Sequence, residues 1–298
     1  MLVALAALGW GLSGGIGGVL LAGDWNPFTI AFYRGAIGLL FVFAWLLLRS
    51  RARGLADARV WFWSALAGLG VAGNFSFYFI SIEQGSVAIA AMLMYCAPVF
   101  VYLVSFALGL ESASVRKGLA IALVLAGILL LTRVHDVGAA EVTSWGIGAG
   151  VLSGLSYALF IFGFKYAAPY GSPQAILTVA FAVLVAVLIG PAGIEPIMAV
   201  PTHPDWPLFA ALGVLGAGLS FVIYVVGLRY TAPAVAAIVA MVEPVTASAF
   251  AFAVLDQRLT ASQLSGMALI LVTITAMSVA SSGRPSARFR QPKHGDSA

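Results

Sequence analysis

Long apolar runs dominate the chain, and short polar stretches separate them. Ten segments reach the roughly 20 residues that a membrane-crossing helix needs. They cover 2–22, 28–48, 60–80, 86–108, 114–132, 143–164, 173–191, 207–228, 234–254 and 261–280. The connections are too short to hold a soluble domain, since Asp24 to Pro27 closes the first hairpin and Glu83 to Gly85 closes the second. The pattern predicts an all-α polytopic membrane protein with ten transmembrane helices.

The composition agrees with this prediction. Hydrophobic residues make up 62% of the 298 positions, charged residues only 9%, and the mean hydropathy is +1.04. A soluble domain has about a quarter of its residues charged, so this chain has too few charges to cover a surface in water. The net charge of +4 does not indicate nucleic acid as a partner, because the basic residues lie in short loops and near the end of the chain.

The positions of the basic residues predict the orientation in the membrane. With the N-terminus inside, twelve of the 15 lie in cytoplasmic segments, two lie outside and one lies within a span. The inner set is Arg49, Arg51, Arg53, Arg59, Arg116, Lys117, Lys165, Arg229, Arg284, Arg288, Arg290 and Lys293; the outer set is Arg133 and Arg258. Basic residues concentrate on the cytoplasmic side. We therefore expect a bacterial inner-membrane protein with both termini cytoplasmic, and a disordered basic tail over 281–298 that contacts anionic lipid headgroups.

The two halves of the chain align with a constant offset. Pro27 and Pro173, Tyr78 and Tyr224, and Pro98 and Pro244 are each separated by 146 residues. This offset predicts two units, 1–134 and 143–280, with five spans each. An odd number of spans makes the second unit cross the membrane in the opposite sense. Inverted repeats of this kind support two nearly equivalent states that open to opposite sides, as alternating access requires.

Several motifs resemble those of a known family. In the first unit they are Pro27-Phe28 with Arg34, and Tyr78 followed by Ser86-Val87-Ala88 and Ala97-Pro98-Val99; in the second they are Ala232-Pro233-Ala234, Glu243-Pro244-Val245, Asp256-Gln257-Arg258-Leu259 and Gly266. With them, residues 1–280 resemble the ten-helix EamA-type members of the drug/metabolite transporter superfamily, most closely the bacterial aromatic amino acid exporters. The resemblance implies export of amino acids or related metabolites from the cytoplasm. One departure is Asp256-Gln257, where the family often has a glutamate.

Arg34 and Glu243 are the two charged residues placed well inside predicted spans. A charge in the membrane is costly unless it faces protein or water. For Glu243 we consider contact with a substrate amine, a proton site, or a structural hydrogen bond to the helix opened by Pro244. For Arg34 the structural interpretation is preferred, in which it snorkels or ties neighbouring helices together.

A set of aromatic and polar side chains is predicted to line a substrate path. Its members are Trp10, Asn74, Tyr78, Tyr95, Tyr157, Ser220, Tyr224 and Glu243. Aromatic faces with hydroxyl or amide groups suit a mostly apolar amino acid, although Tyr and Trp also serve as anchors at membrane interfaces. Pro98 and Pro244 are candidate hinges that shape the cavity, with a merely structural bend as the alternative.

The sequence lacks the features that other functions need. There is no cluster of acids, Ser/His pair or metal-ligand set for a membrane enzyme, and no G-x-x-x-x-G-K-[ST] loop for ATP. Neither a metal nor a cofactor is expected. We predict a secondary transporter, functional as a monomer, that exports small metabolites from the cytoplasm by alternating access, with aromatic or other neutral amino acids as the preferred substrates. Protons are a candidate coupling ion. A multidrug or lipid flippase of the same fold is the alternative.

Overall fold

The computed structural model describes residues 1–48, 54–110, 114–136, 143–255 and 258–282. Fourteen α-helices form in these ranges. They are α1 (Leu2–Ala22), α2 (Pro27–Leu48), α3 (Ala58–Glu83), α4 (Val87–Met94), α5 (Ala97–Ala107), α6 (Val115–Thr132), α7 (Ser144–Ala167), α8 (Pro173–Ala192), α9 (Ile194–Ala199), α10 (Trp206–Gly213), α11 (Ser220–Leu228), α12 (Pro233–Ala240), α13 (Val242–Val254) and α14 (Ala261–Ser282).

The helices confirm the predicted fold class. Nine segments of the described chain are long and apolar enough to cross a membrane, and α14, whose side chains are described only to Met277, supplies a tenth apolar helix. Three spans are composite: α4 with α5, α10 with α11, and α12 with α13. The short helix α9 was not predicted. Beyond Ser282 the predicted tail lies outside the described residues, as do Asp256 and Gln257.

The fourth and ninth spans are interrupted at equivalent positions. Proline has no N–H to donate to the carbonyl four residues earlier, and α4 and α12 end at Met94 and Ala240, four residues before Pro98 and Pro244. Each span resumes within three residues, as α5 and α13. The prolines therefore divide both spans near their middle, as the repeat predicts.

The eighth span contains a different irregularity. Residues Val214–Leu219 form a π-helical turn between α10 and α11. The hydroxyl of Ser220 donates a hydrogen bond of 2.6 Å to the carbonyl of Leu215, five residues earlier. Turns of this kind widen a helix locally and occur often at functional sites.

Glycines allow the helices to pack closely around these interruptions. A Cβ on Gly11 of α1 would lie 2.5 Å from the carbonyl oxygen of Glu243, and one on Gly154 of α7 would lie 2.8 Å from that of Leu93. Each unit's first helix therefore approaches the interrupted span of the other unit, α1 against α13 and α7 against α4. Small residues let helix backbones approach closely in a membrane. Van der Waals packing then stabilises the contact, because apolar side chains gain little free energy there by leaving lipid.

We name the two ends of the helix bundle the Leu2 side and the Trp25 side, each after a residue that lies there. The Leu2 side holds the beginning of α1, the α7–α8 turn and the α11–α12 turn. The Trp25 side holds the α1–α2 turn and the α3–α4 turn. In the predicted orientation the Leu2 side is cytoplasmic.

Replacing Gly11 by alanine should destabilise the bundle, because the new methyl group would meet backbone rather than a movable side chain. We expect a loss of about 1–3 kcal/mol, the range for overpacking, seen as a lower melting temperature of the purified protein in detergent. Gly14→Ala is the matched control, since Gly14 lies on the same helix with no atom within 4 Å of its Cβ position. Equal melting of the two variants would show that close packing at Gly11 is unimportant.

Candidate functional site

Glu243 lies at the centre of the bundle, in the first turn of α13. The interruption after Ala240 makes this a helix N-terminus in the middle of a span, where the helix dipole favours a negative charge. The hydroxyl of Tyr157, on α7, donates a hydrogen bond of 3.3 Å to Glu243 Oε2. The proline that follows Glu243 thus creates the local structure that stabilises its carboxylate.

A small cavity adjoins Glu243. Its volume of about 20 Å³ has room for roughly one water molecule. The lining residues come from six spans: Trp10, Arg34, Val71, Asn74, Phe75, Tyr157, Phe160, Phe221 and Glu243. The cavity therefore has one acidic and one basic side chain, and aromatic rings form most of the remaining wall.

Tyrosines surround the Glu243 carboxylate. Tyr78, Tyr95, Tyr157 and Tyr224 all lie near enough to interact with it electrostatically. Tyr224 is fully buried, and its ring packs at a tilt against Trp10 with 4.7 Å between the ring centroids. Within the described part of the chain, neither the Tyr224 hydroxyl nor the Trp10 indole N–H has a hydrogen-bond partner. Buried polar groups without partners are rare in folded proteins. Trp10 lines the small cavity, so its indole N–H is a donor that a polar ligand bound there can use.

A wider cavity extends from the middle of the bundle toward the Trp25 side. It has a volume of about 420 Å³ and is lined by Val87, Ala88, Ala91, Tyr95, Leu131, Thr132, Pro244, Ala247 and Ser248. This volume is within the range of small-molecule sites. Tyr95 lines the wider cavity and also interacts electrostatically with Arg34 and Glu243, which line the small one.

An aromatic layer closes the bundle toward the Leu2 side. We define it as Trp10, Phe160, Phe164, Phe181, Phe221 and Tyr224, all buried. Phe221 is the central ring and packs against Trp10, Phe164 and Phe181 with centroid distances of 4.8, 5.8 and 5.3 Å. Trp10, Phe160 and Phe221 of this layer also form part of the wall of the small cavity.

Basic side chains join the helix ends on the Leu2 side. Lys165, at the end of α7, donates hydrogen bonds of 2.5 and 2.7 Å to the carbonyls of Leu228 and Thr231. Arg229 donates one of 2.7 Å to the carbonyl of Gly171 in the α7–α8 turn. Cations at helix C-termini are favourable. Together with the aromatic layer they close this end of the second unit.

The remaining predicted site residues have structural partners. The amide of Asn74 donates to the hydroxyl and carbonyl of Ser153, both at 3.1 Å, and ties α3 to α7 at the cavity wall. Ser220 bonds within its own span, and a Cβ on Gly9 would meet its hydroxyl. Pro244 lines the wider cavity, whereas Pro98 is buried on the other interrupted span.

Sequence reasoning did not select the phenylalanines of the site. Phe75 lies under the Arg34 guanidinium, 5.1 Å from its ring centroid, and Phe160 and Phe221 line the small cavity. Each sits in an apolar run among 19 phenylalanines. Phe160 and Phe221 could have been found from their spacing, because each lies one helical turn from a predicted site residue, Tyr157 and Tyr224 respectively.

Comparison with known proteins identifies the family. Residues 1–133 and 144–279 match the model of the EamA-like transporter family. This chain belongs to the EamA-like transporter family. Family membership confirms the resemblance at this level and the prediction that the protein is a transporter and not an enzyme.

Two further comparisons agree with this assignment. An uncharacterized transporter of Archaeoglobus fulgidus is 32% identical over 198 residues, which cover 66% of this transporter and 69% of the relative. A crystal structure of a protein with 18% identity matches with a TM-score of 0.74, covering 94% of this chain and 96% of the other. At that identity the second likeness concerns the fold alone. The transporter therefore moves a small molecule across a membrane, and its substrate has to be inferred from its own site.

Proposed function

We propose that this transporter exports neutral amino acids, aromatic ones included, from the cytoplasm across a bacterial inner membrane. The observation that carries the proposal is Glu243 at mid-membrane, hydrogen-bonded to Tyr157 and enclosed by aromatic rings. A carboxylate can hold the ammonium group of a substrate by a charge-assisted hydrogen bond. The rings around it offer apolar faces for the substrate's side chain. Tyr78, Tyr95, Tyr157, Tyr224, Trp10, Asn74 and Ser220 are proposed to complete the substrate path.

Alternating access is supported by a difference between the two units. Ala88 and Ala91 line the wider cavity, while the residues 146 positions later, Ala234 and Ala237, are 0% exposed. The alanines of α4 thus line a cavity toward the Trp25 side, whereas the equivalent alanines of α12 are buried toward the Leu2 side. We propose that units 1–134 and 143–280 exchange these arrangements, with the interruptions at Pro98 and Pro244 as hinges. In the described state the protein faces outward, and in the other a cavity opens beside Ala234.

The orientation of this state is proposed from charge placement. Arg59, Arg116, Lys117, Lys165 and Arg229 lie on the Leu2 side of the described chain, against Arg133 and Arg258 on the other. The excess of basic residues supports a cytoplasmic position for the Leu2 side.

Cysteine labelling tests the orientation. In a Cys96→Ala background, which has no other cysteine, Glu83→Cys should react with a membrane-impermeant maleimide in intact cells. Ala56→Cys should react only after lysis, because it lies on the Leu2 side. Both positions are exposed. The opposite labelling pattern would reverse the proposed direction of the bundle.

The same background tests alternating access with a repeat-related pair. Ala88→Cys should react with maleimide from the Trp25 side in the resting protein, and Ala234→Cys should be protected. Under conditions of substrate turnover we expect protection of position 88 to rise and labelling of position 234 from the Leu2 side to increase. Accessibility of both positions that is unaffected by turnover would contradict the proposed exchange.

Counterflow into proteoliposomes tests the substrate. Neutral amino acids should show saturable counterflow, whereas sugars, nucleosides and cationic drugs should not. Glu243→Gln should lower the apparent affinity for the amino acid about tenfold or more, since a hydrogen bond to a charged group contributes roughly 1.5–3 kcal/mol. Glu83→Gln removes an exposed carboxylate at the end of α3 and serves as the control.

A pH gradient separates the two roles considered for Glu243. If Glu243 contacts the substrate, Glu243→Gln should lower flux both with and without the gradient. A variant that loses only gradient-driven accumulation would instead assign Glu243 to proton transport. No saturable amino acid flux in the wild type, together with saturable flux of a lipophilic drug, would favour the flippase alternative.

A further inference from the structure

Within the described ranges, Arg34 lacks the acidic partner that an arginine inside a membrane protein normally has. Its Nε atom is buried with no hydrogen-bond partner in the part of the chain that the structure describes, and its guanidinium lies over the ring of Phe75. Among the described residues no Asp or Glu oxygen lies within 4.0 Å of it. Stacking on a ring attracts the cation but leaves its N–H donors unused. The guanidinium therefore presents donors to the small cavity that it lines.

The irregular turn of the eighth span makes room for this arginine. A Cβ on Gly216 would lie 2.9 Å from Arg34 Nε and 2.5 Å from the hydroxyl of Ser13. Gly216 belongs to the π-helical turn Val214–Leu219. The position of Arg34 is thus determined by a glycine within a distorted helix, an arrangement that simple snorkelling to an interface does not require.

Glu243 faces the same cavity from the other unit. Arg34 and Glu243 interact electrostatically, but no ion pair joins them in the described part of the chain. Tyr95 interacts with both. A cavity with one cation and one anion, held apart and surrounded by rings, is complementary to a ligand that carries both charges close together.

We propose that Arg34 binds the α-carboxylate of the substrate while Glu243 binds its α-ammonium group. In an α-amino acid these two groups are attached to one carbon, so the small cavity is the headgroup subsite. The substrate's side chain then extends into the wider cavity. Because the small cavity in this state has room for about one water molecule, its wall has to widen as the headgroup enters. This inference rests on the proposed function and assigns Arg34 to specificity.

A site for both charged groups should accept different ligands from a site for anions alone or amines alone. Phosphate esters would benefit from Arg34 but be repelled by Glu243, and amines without a carboxylate would leave the guanidinium donors unused. An unused buried donor is costly. The site should therefore require both charges, with either one alone insufficient.

Competition against counterflow of labelled L-phenylalanine tests this requirement in the wild type. The competitors are unlabelled phenylalanine, phenylalaninamide, which lacks the carboxylate, and 3-phenylpropionate, which lacks the amine. Each incomplete analogue should need at least about a tenfold higher concentration than phenylalanine for half inhibition. Phenylalaninamide that competes as well as phenylalanine would overturn the proposal without any variant.

Variants then assign each charge. Arg34→Gln should weaken phenylalanine binding roughly tenfold to a hundredfold and change phenylalaninamide binding less than about twofold. Glu243→Gln should weaken phenylalanine but leave 3-phenylpropionate nearly unchanged. Arg34→Lys keeps the charge without the planar fork and should restore part of the affinity. Equal losses for phenylalanine and its amide in Arg34→Gln would show a structural role and overturn the proposal.

The matched control is Arg59→Gln. Arg59 also stacks on a ring, 5.0 Å from the centroid of Tyr170, but it lies at the Leu2 end of α3 away from both cavities. Its replacement should leave the competition pattern unchanged. If wild-type protein shows no amino acid counterflow at all, the proposed function fails and the inference with it. If counterflow occurs without discrimination among the analogues, only the assignment of Arg34 and Glu243 as a headgroup site fails.

Discussion

Backbone polar groups inside a membrane have to find their hydrogen bonds within the protein, and this constraint organises the whole structure. Regular helices meet it segment by segment. Irregular backbone is therefore tolerated only where protein surrounds it, and the interruptions before Pro98 and Pro244 both lie against a glycine-rich helix of the opposite unit. The same close approach that shields the backbone carries α1 and α7 into the centre of the bundle. The packing and the position of the cavity thus have one origin.

The site follows from this arrangement. Interrupting the ninth span places a helix N-terminus at mid-membrane, and Glu243 occupies its first turn. The widened turn of the eighth span admits the side chain of Arg34 beside Gly216. Two departures from regular helix, in different spans of the second unit, therefore bring opposite charges to one cavity. Neither charge belongs to a close ion pair in the described chain, which leaves both available for a ligand.

The described state is asymmetric although the two halves of the sequence share several residues at a constant offset. Small residues of α4 line a wide cavity toward the Trp25 side, whereas their counterparts on α12 are buried. The aromatic layer and the bonds made by Lys165 and Arg229 close the Leu2 side. The first unit has Val19 and Glu83 at the positions equivalent to Lys165 and Arg229. The hydrogen bonds that these basic side chains make therefore have no counterpart from the equivalent residues on the Trp25 side. The difference supports the proposed exchange, in which the two units have unequal arrangements in any one state.

The sequence by itself determined the spans, the repeat and the identity of the buried charges. The length of the apolar runs and the constant offset between the two halves are patterns along the chain, so they can be recognised without knowledge of packing. They also located the interruptions, because proline acts on its own helix. The sequence did not determine that Arg34 would face Glu243, that Asn74 and Ser220 would have protein partners, or that Phe75, Phe160 and Phe221 would form the cavity wall. In spans that are apolar on every side, periodicity does not distinguish lipid-facing from protein-facing positions. Only the tertiary packing that brings α1, α2, α3, α7, α11 and α13 to one cavity decided which side chains meet.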